Sequence, residues 1–196
     1  MNTTLETTSS PWLRMNLAGE QASEDARRVL DAAIAILDQS ADLLRAMVPE
    51  SYTQRVPAAF NGSIGGHFRH CLDHFTSLLR ALDGNFVDYD HRARDPQIER
   101  DPAFALAVSE QARAQLLELP PSALNSLVRA RCEVSYAPGD SPVTASTFGR
   151  ELVYVIAHAI HHFALISVMA RLSNVALPKH FGVAPSTVLH QTQRME

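Results

Sequence analysis

Apolar residues recur at three- and four-residue steps through four stretches of the chain, and proline, glycine or polar clusters separate them. In the first stretch Leu30, Ile34, Leu37, Ala41 and Leu44 form one stripe, and Ser23 followed by Glu24 and Asp25 reads as an N-cap with an acidic first turn. A helix is therefore predicted from about Ser23 to Met47, ending before Pro49. The second runs from Ser63, a natural N-cap, to Leu82, with Gly84 expected just past its end. The third opens on Asp101-Pro102, an N-cap and first-turn signature, and carries Phe104, Val108, Ala112 and Leu116 on one side until Pro120-Pro121 stops it near Leu119. The fourth, from Ser146 to about Asn174, is largely apolar and is broken only by histidines. Ahead of it the alternating LVRARCEVSY, the turn-rich APGDSP and VTAS predict a short β-hairpin. The long polar piece NFVDYDHRARDPQIERD alternates in sign and reads as a loop held by its own charges.

Four long helices, a long connection between the second and third, and a hairpin before the fourth predict an all-α four-helix bundle. Residues 1–20, rich in Thr and Ser, read as a flexible arm from which Trp12 and Leu13 could dock on the body. Residues 21–175 form the bundle, and 176–196 an irregular tail with a short helical turn after Pro185. A chain of 196 residues with 46% apolar content is enough for one domain with its own core.

Six of the nine histidines fall in the second and fourth helices. His158 and His162 lie one turn apart on one face, so both imidazoles can reach one metal ion, whereas His161 points roughly 100° away from His162. His67, His70 and His74 fall within an arc of roughly 60° on the second helix, so any of them can supply a third ligand. Stacked histidines on two facing helices are hard to explain as packing, because each buried imidazole needs a polar partner. Three imidazoles with an open fourth position describe a catalytic metal site. Asp73 is a candidate acceptor for a ring N–H. Glu151, seven residues before His158, is a candidate acceptor or a general base acting on metal-bound water, its alternative being an ion pair with an arginine such as Arg69. No His-Glu-x-x-His or paired Glu-x-x-His motif is present, which argues against zincin and di-iron chemistry. Cys71 reads as core, Gly65-Gly66 as an aid to close helix packing, and Arg92 with Arg94 as a self-paired loop or a seat for an anion.

A net charge of -4 gives no reason to expect nucleic acid or an anionic membrane as partner. Two cysteines make no disulfide framework and suit a reducing cytosol. The first residues lack a secretory pattern, and no uninterrupted apolar run reaches the length of a span, so a cytoplasmic protein is expected.

SIGGHFRHCLDHF followed much later by HAIHHF resembles the DinB/YfiT-like superfamily, in which a histidine stands seven residues after a helix-starting serine and a His-x-x-x-His pair lies on the fourth helix. The resemblance spans about residues 23–175. It implies a four-helix bundle of DinB/YfiT type and a divalent metal, zinc or nickel, held by His70, His158 and His162. His67, His74, Asp73, Glu151 and His161 would surround it or line a substrate cavity, and either His67 or His74 could replace His70. The activity implied is that of a metal-dependent transferase or hydrolase acting on a small-molecule substrate, with a low-molecular-weight thiol as co-substrate and a homodimer as its assembly. The alternative is a non-catalytic metal-binding or stress-linked interaction protein. After His162 the chain has Phe163, Ala164 and Leu165 where many members have Arg-Gly-Gln.

Overall fold

The computed structural model describes residues 11–194, with side chains from residue 19 onward. It is mostly helical with two small sheets: α1 (Pro11–Ala46), α2 (Pro49–Thr53), β1 (Arg55–Val56), β2 (Gly62–Ser63), α3 (Ile64–Gly84), β3 (Phe86–Asp88), α4 (Pro96–Arg100), α5 (Pro102–Glu118), β4 (Leu127–Arg131), β5 (Val143–Thr147), α6 (Phe148–Leu172) and α7 (Pro185–Gln193). The four long helices pack on one another, α1 against α5 and α6, and α3 against α5 and α6. Their shared interior holds Leu37, Leu43, Phe68, Phe75, Leu78, Phe148, Val155, Phe163 and Ile166, all nearly inaccessible. Each such side chain contributes roughly 1.5–3 kcal/mol on burial, which fixes the helices that carry the histidines.

Local signals set most boundaries. Ser63 accepts from the Gly66 N–H at 3.0 Å and starts α3; Asp101 accepts from the Ala103 and Phe104 N–H groups at 2.9 and 3.3 Å and starts α5. Thr147 does the same for α6 through the Arg150 N–H. At the end of α3 it is Asn85, not Gly84, that takes the left-handed conformation (φ 54°).

Two expectations need correction. First, α1 begins at Pro11, so residues 11–20 are helix where a loose arm was expected. Nothing between Pro11 and Ser23 breaks a helix except Gly19, which a long helix tolerates. Residues 1–10 of that arm, and the side chains of Trp12 and Leu13, lie outside the described residues. Second, the polar connection after α3 contains β3, which pairs parallel with β4 (Val87 opposite Ala130) and buries Val87. β4 in turn pairs antiparallel with β5, from Leu127 opposite Thr147 to Arg131 opposite Val143. The segment after residue 175 is irregular up to α7 and is anchored ahead of it. The Phe181 ring stacks on Phe163 at 4.6 Å, and Ser167 Oγ donates to the Phe181 carbonyl at 2.9 Å.

By length and apolar composition α6 qualifies for a membrane span, because its histidines interrupt the run without outweighing it. One side of it faces the interior, where Leu152, Val155, Ala159, Phe163, Ile166 and Met169 are buried, while Val153, Val168 and Leu172 are exposed.

Candidate metal centre

Close approach of α3 to its neighbours brings the histidines together. Gly65 lies against α4 so tightly that a Cβ would collide with the Glu99 carbonyl oxygen, and Gly is the one residue that fits. Along α3, His70 and His74 lie one turn apart, and across from them His158 and His162 lie one turn apart on α6. His70, His74 and His158 each offer a ring nitrogen within 4.8 Å of the others. His158 Nε2 and His70 Nε2 are 2.8 Å apart. Tetrahedral zinc with bonds of about 2.0–2.1 Å separates its ligand atoms by roughly 3.3 Å, so a small opening of this contact accommodates an ion.

His74 Nδ1–H donates to the His70 carbonyl at 2.8 Å within its own helix, which fixes the tautomer and leaves Nε2 free as a donor atom. His162, expected as a ligand, is near in space, its ring 4.5 Å from that of His70 and 4.6 Å from that of His158. Its Nδ1, however, faces His67 Nδ1 at 2.9 Å, and the two rings share a hydrogen bond. The trio that converges within 4.8 Å has His74 where the motif put His162, whose Nε2 the contact with His67 leaves free. Only four residues separate a ligand from its neighbour on each helix, and spacing alone does not choose between the two pairs.

All five rings are held neutral, as metal ligation requires. Burial first, and then the mutual repulsion of the imidazoles and the charge of Arg92, lower His70 and His74 to about 3. His162 falls to about 3 through burial, then His70 and His158. His67 and His158 shift the same way, again mainly by burial.

Other expected site residues sit elsewhere. His161 is exposed on the outer side of α6, touching the cluster only through the His162 ring at 5.2 Å. Asp73 is buried but reaches no histidine: it faces Arg69 at 3.9 Å, and a backbone carbonyl takes the His74 proton in its place. Arg69 pairs at 3.0 Å with Glu99, not with Glu151. Glu151 accepts from Tyr89 Oη at 3.0 Å and from Ser146 Oγ at 2.6 Å, so its hydrogen bonds fix a wall residue and reach no histidine.

That wall was not read from the sequence. Tyr89, placed by β3 and tied through its N–H to the Arg131 carbonyl at 3.0 Å, stacks on His74 at 5.2 Å. Tyr154 stacks on His158 at 5.6 Å. Burial raises the Tyr154 hydroxyl to about 12, so it stays a proton donor. Tyr154 stands one turn before His158, a spacing visible in the chain; Tyr89 arrives through a parallel strand pair that no local pattern announces. Both tyrosines, with Cys132 and Glu151, line a cavity of about 230 Å³.

Helices packed around converging histidines define a helical protein with a candidate metal centre. The sequence profile of the DinB superfamily matches residues 24–166, and the chain belongs to that superfamily. A 45-residue stretch is 51% identical to FK506-binding protein 5 of Rhizopus delemar, covering 23% of this chain and 12% of that protein. The chain spans only a small part of that relative's length.

Proposed function

We propose that the protein is a metal-dependent enzyme of the DinB type, with a four-helix bundle holding one divalent ion, zinc or nickel, between His70, His74 and His158. The observation that carries this reading is the convergence of three neutral imidazoles, one with its tautomer fixed by a backbone carbonyl. Bound there, the ion would lower the pKa of a thiol or water in its open position and supply a nucleophile near neutral pH. The residues of the chain do the rest. His74 and His158 are oriented by the rings of Tyr89 and Tyr154, Glu151 fixes Tyr89, and Tyr154 keeps a proton at its Oη. By family resemblance the reaction is transfer of a low-molecular-weight thiol to a small electrophile, or an isomerisation or hydrolysis using the same activated group, in the cytoplasm. The exposed Val153, Val168 and Leu172 on α6 offer an apolar face for the homodimer that belongs to this reading.

Cobalt substitution tests thiol activation: addition of small thiols to the cobalt form should produce thiolate-to-metal charge-transfer bands, and no spectral change with any thiol would remove it. The nearness of His162 favours a second reading. Were it to close the fourth position, no place would remain for substrate, and the protein would be a non-catalytic metal-binding or stress-linked interaction protein. A cobalt spectrum of closed tetrahedral form, indifferent to thiols and small anions, would select that reading.

A further inference from the structure

Along the outer side of α6 the exposed positions from end to end are Arg150, Val153, Ala157, His161, Ala164, Val168 and Arg171, at steps of three and four residues. They form one stripe on the side opposite the buried Val155, Ala159 and Phe163. Between the two arginines no acid, lysine or further arginine is exposed, and the half-buried Ile160 widens the apolar middle. Val153 and Val168 leave 45% and 54% of their surface in solvent. A helix side meant for water carries charge, as α1 does with its exposed Glu24, Arg27 and Arg28. The outer side of α6 is instead a continuous apolar patch, the kind of surface that marks a contact. Its order says what covers it. From either end the stripe reads Arg, Val, Ala, His, Ala, Val, Arg, so it is complementary to itself under a two-fold axis at His161, and a foreign partner gives no reason for such an order.

We propose that the occupant is a second copy of this chain, its α6 lying antiparallel to the first about an axis at His161, with Val153 against the partner's Val168 and Ala157 against the partner's Ala164. The two alanines let the backbones approach to the ~8 Å lower limit of helix packing. The arginines fall at the rim, where solvent screens Arg150 from the partner's Arg171. His161, the axis residue, is also in ring contact with His162 at 5.2 Å, so the interface runs beside the histidine cluster of each copy. The stripe holds fewer residues than the ~20–30 a side of a standard interface, so the association is reversible and roughly micromolar. This inference rests on the homodimer in the reading above and names the surface and the orientation that form it.

Sedimentation equilibrium of the full chain from about 1 to 200 μM tests it. The parent should pass from monomer to dimer over that range. Val168→Lys, which sets a further cation beside Arg171 and the partner's Arg150, should weaken association at least about tenfold at unchanged melting temperature and metal content. Orientation is read by oxidative cross-linking in a Cys132→Ser background. Val153→Cys and Val168→Cys chains, mixed, should join as a mixed disulfide dimer, whereas either alone should not, because the helix holds like positions about 22 Å apart against the ~7 Å limit of a disulfide. A parent monomeric throughout, a dimer indifferent to Val168→Lys, or Val153→Cys chains that cross-link as well alone as in the mixture overturns the proposal. Of these, an indifferent dimer keeps the homodimer and removes only this interface, and a monomer that still holds its metal removes both and leaves the metal centre. A monomer that sediments with phosphatidylcholine vesicles would likewise overturn it and give the face to lipid. An α6 dimer in a chain that takes up no metal sustains this inference while removing the metalloenzyme reading.

Discussion

His74 illustrates how a single side chain changes the account. Its 2.8 Å hydrogen bond to the His70 carbonyl leaves Nε2 free, and with one ring nitrogen within 4.8 Å of those of His70 and His158 it takes a place in the proposed ligand set that the motif gives to His162. The sequence offered both residues, each one turn from a partner; what it lacks is the identity of the acceptor that orients each ring. The ring shifts also carry a pH dependence. His70, His74 and His162 titrate at about 3 when folded and near the ordinary value of about 6.5 when unfolded. Between these values the unfolded chain binds more protons, so stability rises with pH across the window. It is fully present above about pH 6.5 and is lost as pH falls toward 3. Thermal melts of chelator-treated protein should therefore show a lower melting temperature at pH 5 than at pH 7.5, and a flat or inverted profile would contradict the neutral cluster. Tyr89→Phe makes a second point at this scale. It leaves the nearly buried Glu151 carboxylate with Ser146 as its remaining donor, and urea unfolding should register a loss of about 1–3 kcal/mol.

Among the elements, the long helices α3 and α5 were legible because local signals start them: Ser63 and Asp101 cap where expected, and the apolar stripes face the interior. The extension of α1 to Pro11 was missed because a good cap signature at Ser23 need not start a helix when good helix formers precede it. The strand β3 was missed because its partner lies more than forty residues away, and pairing at that distance leaves no periodic trace. Yet β3 delivers Tyr89, so the least legible element shapes the wall of the candidate site. The contact of α3 with α4 yields a paired prediction. Gly65→Ala should destabilise by about 1–3 kcal/mol, since its Cβ meets backbone that cannot yield. Gly84→Ala, with open space around it, should be neutral or stabilising by up to about 1 kcal/mol. Equal effects in denaturant melts would mean that the close approach is not what Gly65 provides.

At the scale of the whole molecule, the packed helices align two rows of histidines across one gap, and a bound ion would add to the stability of the folded chain. Binding at a hundredfold excess over Kd contributes about 2.7 kcal/mol, so chelation should lower the melting temperature by several degrees. The central claim is the ligand set, and metal stoichiometry by elemental analysis of untagged protein tests it most directly. The parent is predicted to hold about one zinc or nickel ion per chain, lost in His70→Ala, His74→Ala and His158→Ala and retained in His67→Ala and His162→Ala. Loss in His162→Ala with retention in His74→Ala would return the site to the motif's own trio. No metal in the parent, even after incubation with both ions, would contradict the account as a whole.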